Sequence, residues 1–65
     1  MSPIGLRLRE LRERKGWSQA ELGRRAGVHH SVINRAERGV TDLSLSTLEK
    51  LARALKVSPR TLLAR

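Results

Sequence analysis

Between Val28 and Gly39 the chain sets His30, Ser31, Asn34, Arg35 and Arg38 at intervals of one, three, one and three residues. On a helix that spacing gathers the five polar side chains on one face and leaves Ile33 and Ala36 on the other. The polar set has the chemistry of base-edge recognition. An arginine fork matches O6 and N7 of guanine, and an asparagine amide matches N6 and N7 of adenine. A lone exposed arginine is most simply a solvated charge. Asn34 and Arg35, adjacent on a helix whose opposite face is apolar, imply base contact by at least one of them.

Other chemistries find less support. His29 and His30 suggest a metal, but adjacent positions on a helix point about 100° apart, and no thiol or carboxylate stands near them in sequence. The chain has no cysteine, so thiolate zinc sites and disulfides are excluded. No Ser-His-acid order, phosphate-binding loop or metalloprotease signature is present. A chain of 65 residues also leaves little room for a substrate pocket of the usual ~300–1,000 Å³. The expectation is a protein that is not an enzyme, with no catalytic residues, metal, cofactor or small-molecule substrate.

Charge narrows the partner. Fourteen Lys and Arg face six Asp and Glu, a formal net charge of +8, with a pI near 11.8. That balance fits nucleic acid, although charge alone equally suits a well-solvated surface or an anionic lipid. One Trp with no Phe or Tyr argues against the aromatic platforms that stack single strands or RNA. No apolar run approaches the ~20 residues of a membrane span, and no signal-peptide pattern appears. The expected setting is the cytoplasm, in association with the nucleoid. Arg24 and Arg25 read as a solvated face. Arg7, Arg9 and Arg14 interleave with Glu10 and Glu13 in ordinary helical ion pairing.

The elements that must position these residues are written in one grammar. The expected fold class is all-α: one domain over 1–65, with five helices at about 3–15, 19–26, 30–38, 45–55 and 59–64. Ser18, Ser44 and Ser58 stand at N-cap positions. Each follows an apolar residue (Trp17, Leu43, Val57) that can staple to Leu22, Leu48 or Leu62 five positions later. Glu21 would close a capping box on Ser18, and Pro59 opens the fifth helix. Met1, Ser2, Pro3 and Leu6 repeat the syntax at the N-terminus. Gly16, Gly27 and Gly39 mark left-handed ends. Leu22, Ala26, Val28, Ile33 and Ala36 face inward, and Gly23 lets the second helix approach the third. The third helix breaks the rule, because its cap position holds His29, a poor capper. Local rules tend to fail where function intrudes.

With these stretches in order, the chain resembles the phage repressor/Cro-type (XRE-like) helix-turn-helix family. The resemblance is carried by Ile4-Gly5, Leu8 to Arg12, Gly16 to Gln19, Ala26-Gly27-Val28, Glu37-Arg38-Gly39, Ser44 to Leu48, Ala52 to Leu55 and Val57-Ser58-Pro59, and covers essentially the whole chain. It implies a helix-turn-helix formed by helices 2 and 3, with helix 3 in the major groove. It makes His30, Ser31, Asn34 and Arg35 base-reading positions. Gln19 would touch the backbone and often a base. Ser18 and His29 sit where the family has caps that reach DNA, and Arg38 through Thr41 match its phosphate-contacting stretch. The residues matching Arg12 and Glu37 form a mostly buried ion pair in the family. Two departures stand out: Ala36 is smaller and Trp17 larger than usual, and His29 replaces Ser or Thr.

The expected function is therefore sequence-specific binding of double-stranded DNA, with repression by occlusion as the economical mechanism. Antitoxin and restriction-modification control are variants of it. Two alternatives remain open at this level: a designed minimal DNA-binding module, and a protein-interaction module exposing Leu43, Leu62 and Leu63. A homodimer on DNA would have to use the last helices, where Leu62 and Leu63 are expected to be incompletely covered.

Overall fold

Four helix starts were expected from serine caps, and three of them fall among the residues that the computed structural model describes, 3–40 and 43–63. Ser18 Oγ accepts from the Glu21 amide at 3.0 Å, Ser44 Oγ from Thr47 at 3.1 Å and Ser58 Oγ from Thr61 at 3.3 Å. Met1 and Ser2 lie outside the described residues. The helices are α1 (Pro3–Arg14), α2 (Gln19–Ala26), α3 (His30–Arg38), α4 (Leu45–Leu55) and α5 (Pro59–Leu63). Lys15 already belongs to the turn after α1. Gly16, Gly27 and Gly39 all take left-handed φ, between 71° and 74°. Lys56 does the same at φ 59°, ending α4 with a non-glycine residue that nothing in the sequence marked.

Two caps differ from expectation. Glu21 does not fold back on Ser18; its carboxylate takes Arg24 Nη2 at 2.5 Å and Arg25 Nε at 2.6 Å. Guanidinium forks three and four residues along the same face offer charge-assisted bonds that a neutral amide cannot match. His29, expected to cap poorly, does cap α3: its Nδ1 accepts from the Ser31 amide at 3.1 Å. An imidazole with its hydrogen on Nε2 presents Nδ1 as an acceptor, placed much as a serine oxygen would be.

The five helices close over Leu8, Leu22, Ile33, Leu51 and Leu62, all fully buried, with Ala36, Leu48, Ala52 and Leu55 completing the core. Leu11, Trp17, Ala26, Val28, Leu43, Ala54 and Val57 pack around it, partly covered. Leu62 is thus a core residue. It falls three positions after Pro59, on the side of α5 that meets α1 and α4, while its neighbour Leu63 is 52% exposed. Leu43 is also half-buried rather than free. Leu45 is 68% exposed, because the first residue of α4 precedes the face shared by Leu48, Leu51, Ala52 and Leu55. Among the described residues no helix is long and apolar enough to cross a membrane.

Two close approaches set the angle of α3. A Cβ on Gly23 would stand 2.5 Å from the Val28 carbonyl oxygen, so α2 reaches the turn only because position 23 has no side chain. Gly5 does the same for α1. A Cβ there would collide with the Ala36 carbonyl oxygen and come within 2.7 Å of that of Glu37. α3 is therefore held at its start by α2 and at its end by α1.

Candidate nucleic-acid interface

The side of α3 turned away from that seam carries the polar set. His30, Arg35 and Arg38 are exposed, Ser31 and Asn34 are half-buried, and Ile33, Ala36 and Glu37 are buried. The structure thus brings five of the nine sequence-designated site residues onto one helix face. His29 adjoins them as the N-cap, and Ser18 and Gln19 open the neighbouring α2. Thr41 lies outside the described residues. Arg35 and Arg38 have no carboxylate partner among the described residues.

The two histidines do not diverge as helical neighbours would. His29 sits before the helix in an extended conformation, and its ring stacks on that of His30 with centroids 4.4 Å apart. Ser31 Oγ lies 2.8 Å from His29 Nδ1. Because that nitrogen accepts from the Ser31 amide, the hydroxyl is the donor. Both histidines are exposed, beside the amides of the first turn of α3, an end of the helix that favours anions.

Behind the face runs a chain of polar contacts. Arg12 grips Glu37 with both prongs, Nε to Oε2 at 2.7 Å and Nη2 to Oε1 at 3.0 Å. Its third donor, Nη1, reaches the Trp17 carbonyl oxygen at 2.8 Å. The side chains are only 11% and 5% exposed. Hydrogen bonding to Glu37 raises the Arg12 pKa above its already high value, against the opposing pull of burial. Gln19 Nε2 donates to Glu37 Oε1 at 3.1 Å, and Gln19 Oε1 accepts from Asn34 Nδ2 at 3.3 Å. The ion pair, expected from the resemblance, is present. Its extension through Gln19 to Asn34 escaped the sequence, where these residues stand 15 and 18 positions apart with no motif joining them.

Trp17, the larger-than-usual residue, packs against the edge of the core and lies under two cations. The Arg25 guanidinium carbon is 4.5 Å from the ring centroid and Lys15 Nζ is 5.9 Å away. An open groove of about 270 Å³ is lined by Glu49, Ala52, Arg53, Val57 and Pro59, below the usual range of small-molecule sites.

Comparison with known proteins agrees with the geometry. The helix-turn-helix family model matches residues 8–62. The chain belongs to the phage repressor/Cro-type helix-turn-helix family. This helix-turn-helix domain is similar to the HTH-type transcriptional regulator SinR of Bacillus subtilis (strain 168), 43% identical over 61 residues that make up 92% of this chain and 55% of SinR. The domain thus spans little more than half the length of the curated relatives it matches first. Its fold is similar to that of the restriction-modification controller protein C.AhdI from Aeromonas hydrophila, with a TM-score of 0.89 and 45% identity over 92% of this chain and 91% of that one. It is also similar to the P22 c2 repressor in complex with a synthetic operator, with a TM-score of 0.87 and 34% identity over 95% and 94% of the two chains.

Proposed function

We propose that this helix-turn-helix domain binds double-stranded DNA sequence-specifically in the major groove and regulates transcription, most economically by occluding a promoter. The observation that carries the reading is the outer face of α3: Arg35 and Arg38 exposed and without a carboxylate partner among the described residues, beside Asn34, Ser31 and His30, in a chain of net charge +8. The operator-bound state of the similar P22 c2 repressor supports the same mode. His30, Ser31, Asn34 and Arg35 read base edges. Ser18, Gln19, His29, Arg38 and Thr41 serve the phosphate backbone, where contacts fix register without reading sequence. The assignment includes no catalytic step, and a DNA partner sets its work in the cytoplasm. Two copies on half-sites about 10 bp apart would extend the footprint, with the exposed Leu63 near their contact.

The test is fluorescence anisotropy of a labelled duplex, selected from a random pool, across a range of salt. Each phosphate contact contributes a slope of about −0.9 to log K against log salt, so several contacts give a steep decline. A salt-independent signal, or equal affinity for selected and scrambled duplexes, overturns the reading. Sedimentation with and without DNA tests the pairing: single copies when free and two per selected duplex are expected.

A further inference from the structure

The polar chain behind α3 has a direction. Glu37, paired with Arg12 on both oxygens, is an ionised carboxylate and can only accept. Gln19 must therefore turn its NH2 end toward Glu37, which leaves its Oε1 facing the other way. Oε1 in turn can only accept, so Asn34 must turn its own NH2 end inward. In an isolated amide the choice between O and N is a free one, settled only by surrounding bonds. Here each choice is dictated by the group behind it, back to a carboxylate that is 5% exposed.

Resting on the DNA-binding reading above, we infer that Glu37, acting through Gln19, is a positioning residue that fixes which end of the Asn34 amide faces the groove and so sets the base that Asn34 selects. The Glu37–Gln19–Asn34 relay leaves Asn34 with Oδ1 and one remaining hydrogen for an outside partner. Oδ1 calls for a donor on the base edge, and the hydrogen calls for an acceptor. Adenine offers that pair in N6–H and N7. Guanine offers two acceptors, O6 and N7, and meets Oδ1 with a repulsive contact. An Asn34 free to flip would lose much of this contrast. Arg35 has no such tie among the described residues.

Two readouts test the relay, one without DNA. Glu37 variants leave Arg12 buried and unpaired, so the informative substitution is Gln19→Met, which keeps the ion pair and removes the amide link. In the free protein, side-chain amide NMR signals of Asn34 are expected to exchange slowly and to move toward solvent-like positions in Gln19→Met. Unchanged Asn34 signals overturn the relay whatever the protein does to DNA. On duplexes carrying each of the four base pairs at the position that Asn34→Ala identifies, the native chain is expected to prefer adenine by about 5- to 150-fold. Gln19→Met should flatten that preference, the adenine duplex losing most, on top of any loss common to all four that comes from a phosphate contact of Gln19 itself. Adding Asn34→Ala to Gln19→Met should then change little more. A preference retained in Gln19→Met, or one for guanine in the native chain, overturns the inference. Failure of the native chain to bind any duplex, with the NMR signature intact, overturns the DNA reading and with it the role given to the relay.

Discussion

Among the described residues arginine meets glutamate at three places; beside the exposed Arg9–Glu13 contact at 3.2 Å on α1, two shorter ones look alike at the level of distance. On α2, Glu21 takes Arg24 and Arg25 at 2.5 and 2.6 Å. Between α1 and α3, Arg12 takes Glu37 at 2.7 Å. Burial separates them. The Arg24 side chain is 70% exposed and that of Glu21 31%, whereas Arg12 and Glu37 retain 11% and 5%. Water already satisfies the charges of the first group, which adds little to folding. The second group has lost its water, so each charge depends on its partner. The pair also lies at the seam that Gly5 makes possible, where α1 grips the end of α3.

The largest effect should therefore follow from orphaning one member of the buried pair. Glu37→Ala or Arg12→Ala is expected to cost about 3–5 kcal/mol, a large part of the 5–15 kcal/mol typical of a whole domain. The double variant should cost less than the sum. Urea denaturation followed by circular dichroism measures all three; additive losses below about 1 kcal/mol would erase the contrast between the two groups. Next comes the seam itself. Gly5→Ala gains about 1 kcal/mol of helix propensity but forces a Cβ onto the backbone oxygens of Ala36 and Glu37. The melting midpoint is expected to fall; a rise would show that α1 can shift away without loss.

A third set of arginines has no carboxylate at all among the described residues, and their effect should appear in binding rather than folding. Arg35→Ala should cost about 1–3 kcal/mol on the selected duplex and relax the choice at one base pair. Arg38→Ala should weaken all duplexes alike and reduce the salt slope by about one contact. Equal losses for Arg35→Ala on selected and scrambled DNA would make it a phosphate clamp. The smallest effect belongs to Glu21. Its pKa is held below the usual carboxylate value, chiefly by the hydrogen bond from Arg24. A lowered carboxyl pKa adds stability above pH 4.5, and that support fades as pH falls through the lowered value. At this exposure Glu21→Gln should leave the midpoint at neutral pH nearly unmoved, and a large drop would show that exposed pairs matter here after all.

Much of the architecture was legible because local and tertiary signals coincide. A serine after an apolar residue and four positions before a leucine marks both a cap and an inward face, and Ser18, Ser44 and Ser58 behave accordingly. The misreadings come from side chains with more than one option. Glu21 had two sets of donors within reach and took the charged ones. His29 can cap as one tautomer, which residue type alone does not reveal. Leu62 and Leu63 are indistinguishable by hydrophobicity, and only the pitch of a short helix sends one into the core. Lys56 accepts a left-handed conformation without being glycine. At the site, the face of α3 could be read from periodicity, but the link from Glu37 to Asn34 leaves α3, passes through Gln19 on α2 and returns, and it has no local signature.

Trp17 adds a property of another kind. It is the only aromatic chromophore of its class in the chain, lodged where α1 turns into α2, against the core and beneath Arg25. Near-ultraviolet absorption and emission thus come from a single indole whose surroundings differ sharply between the folded and unfolded chain. Its backbone carbonyl is tied to Arg12, so the light it emits comes from the end of α1 that holds the buried pair. The domain carries its own optical gauge of the seam, with no label attached to the face that would meet DNA.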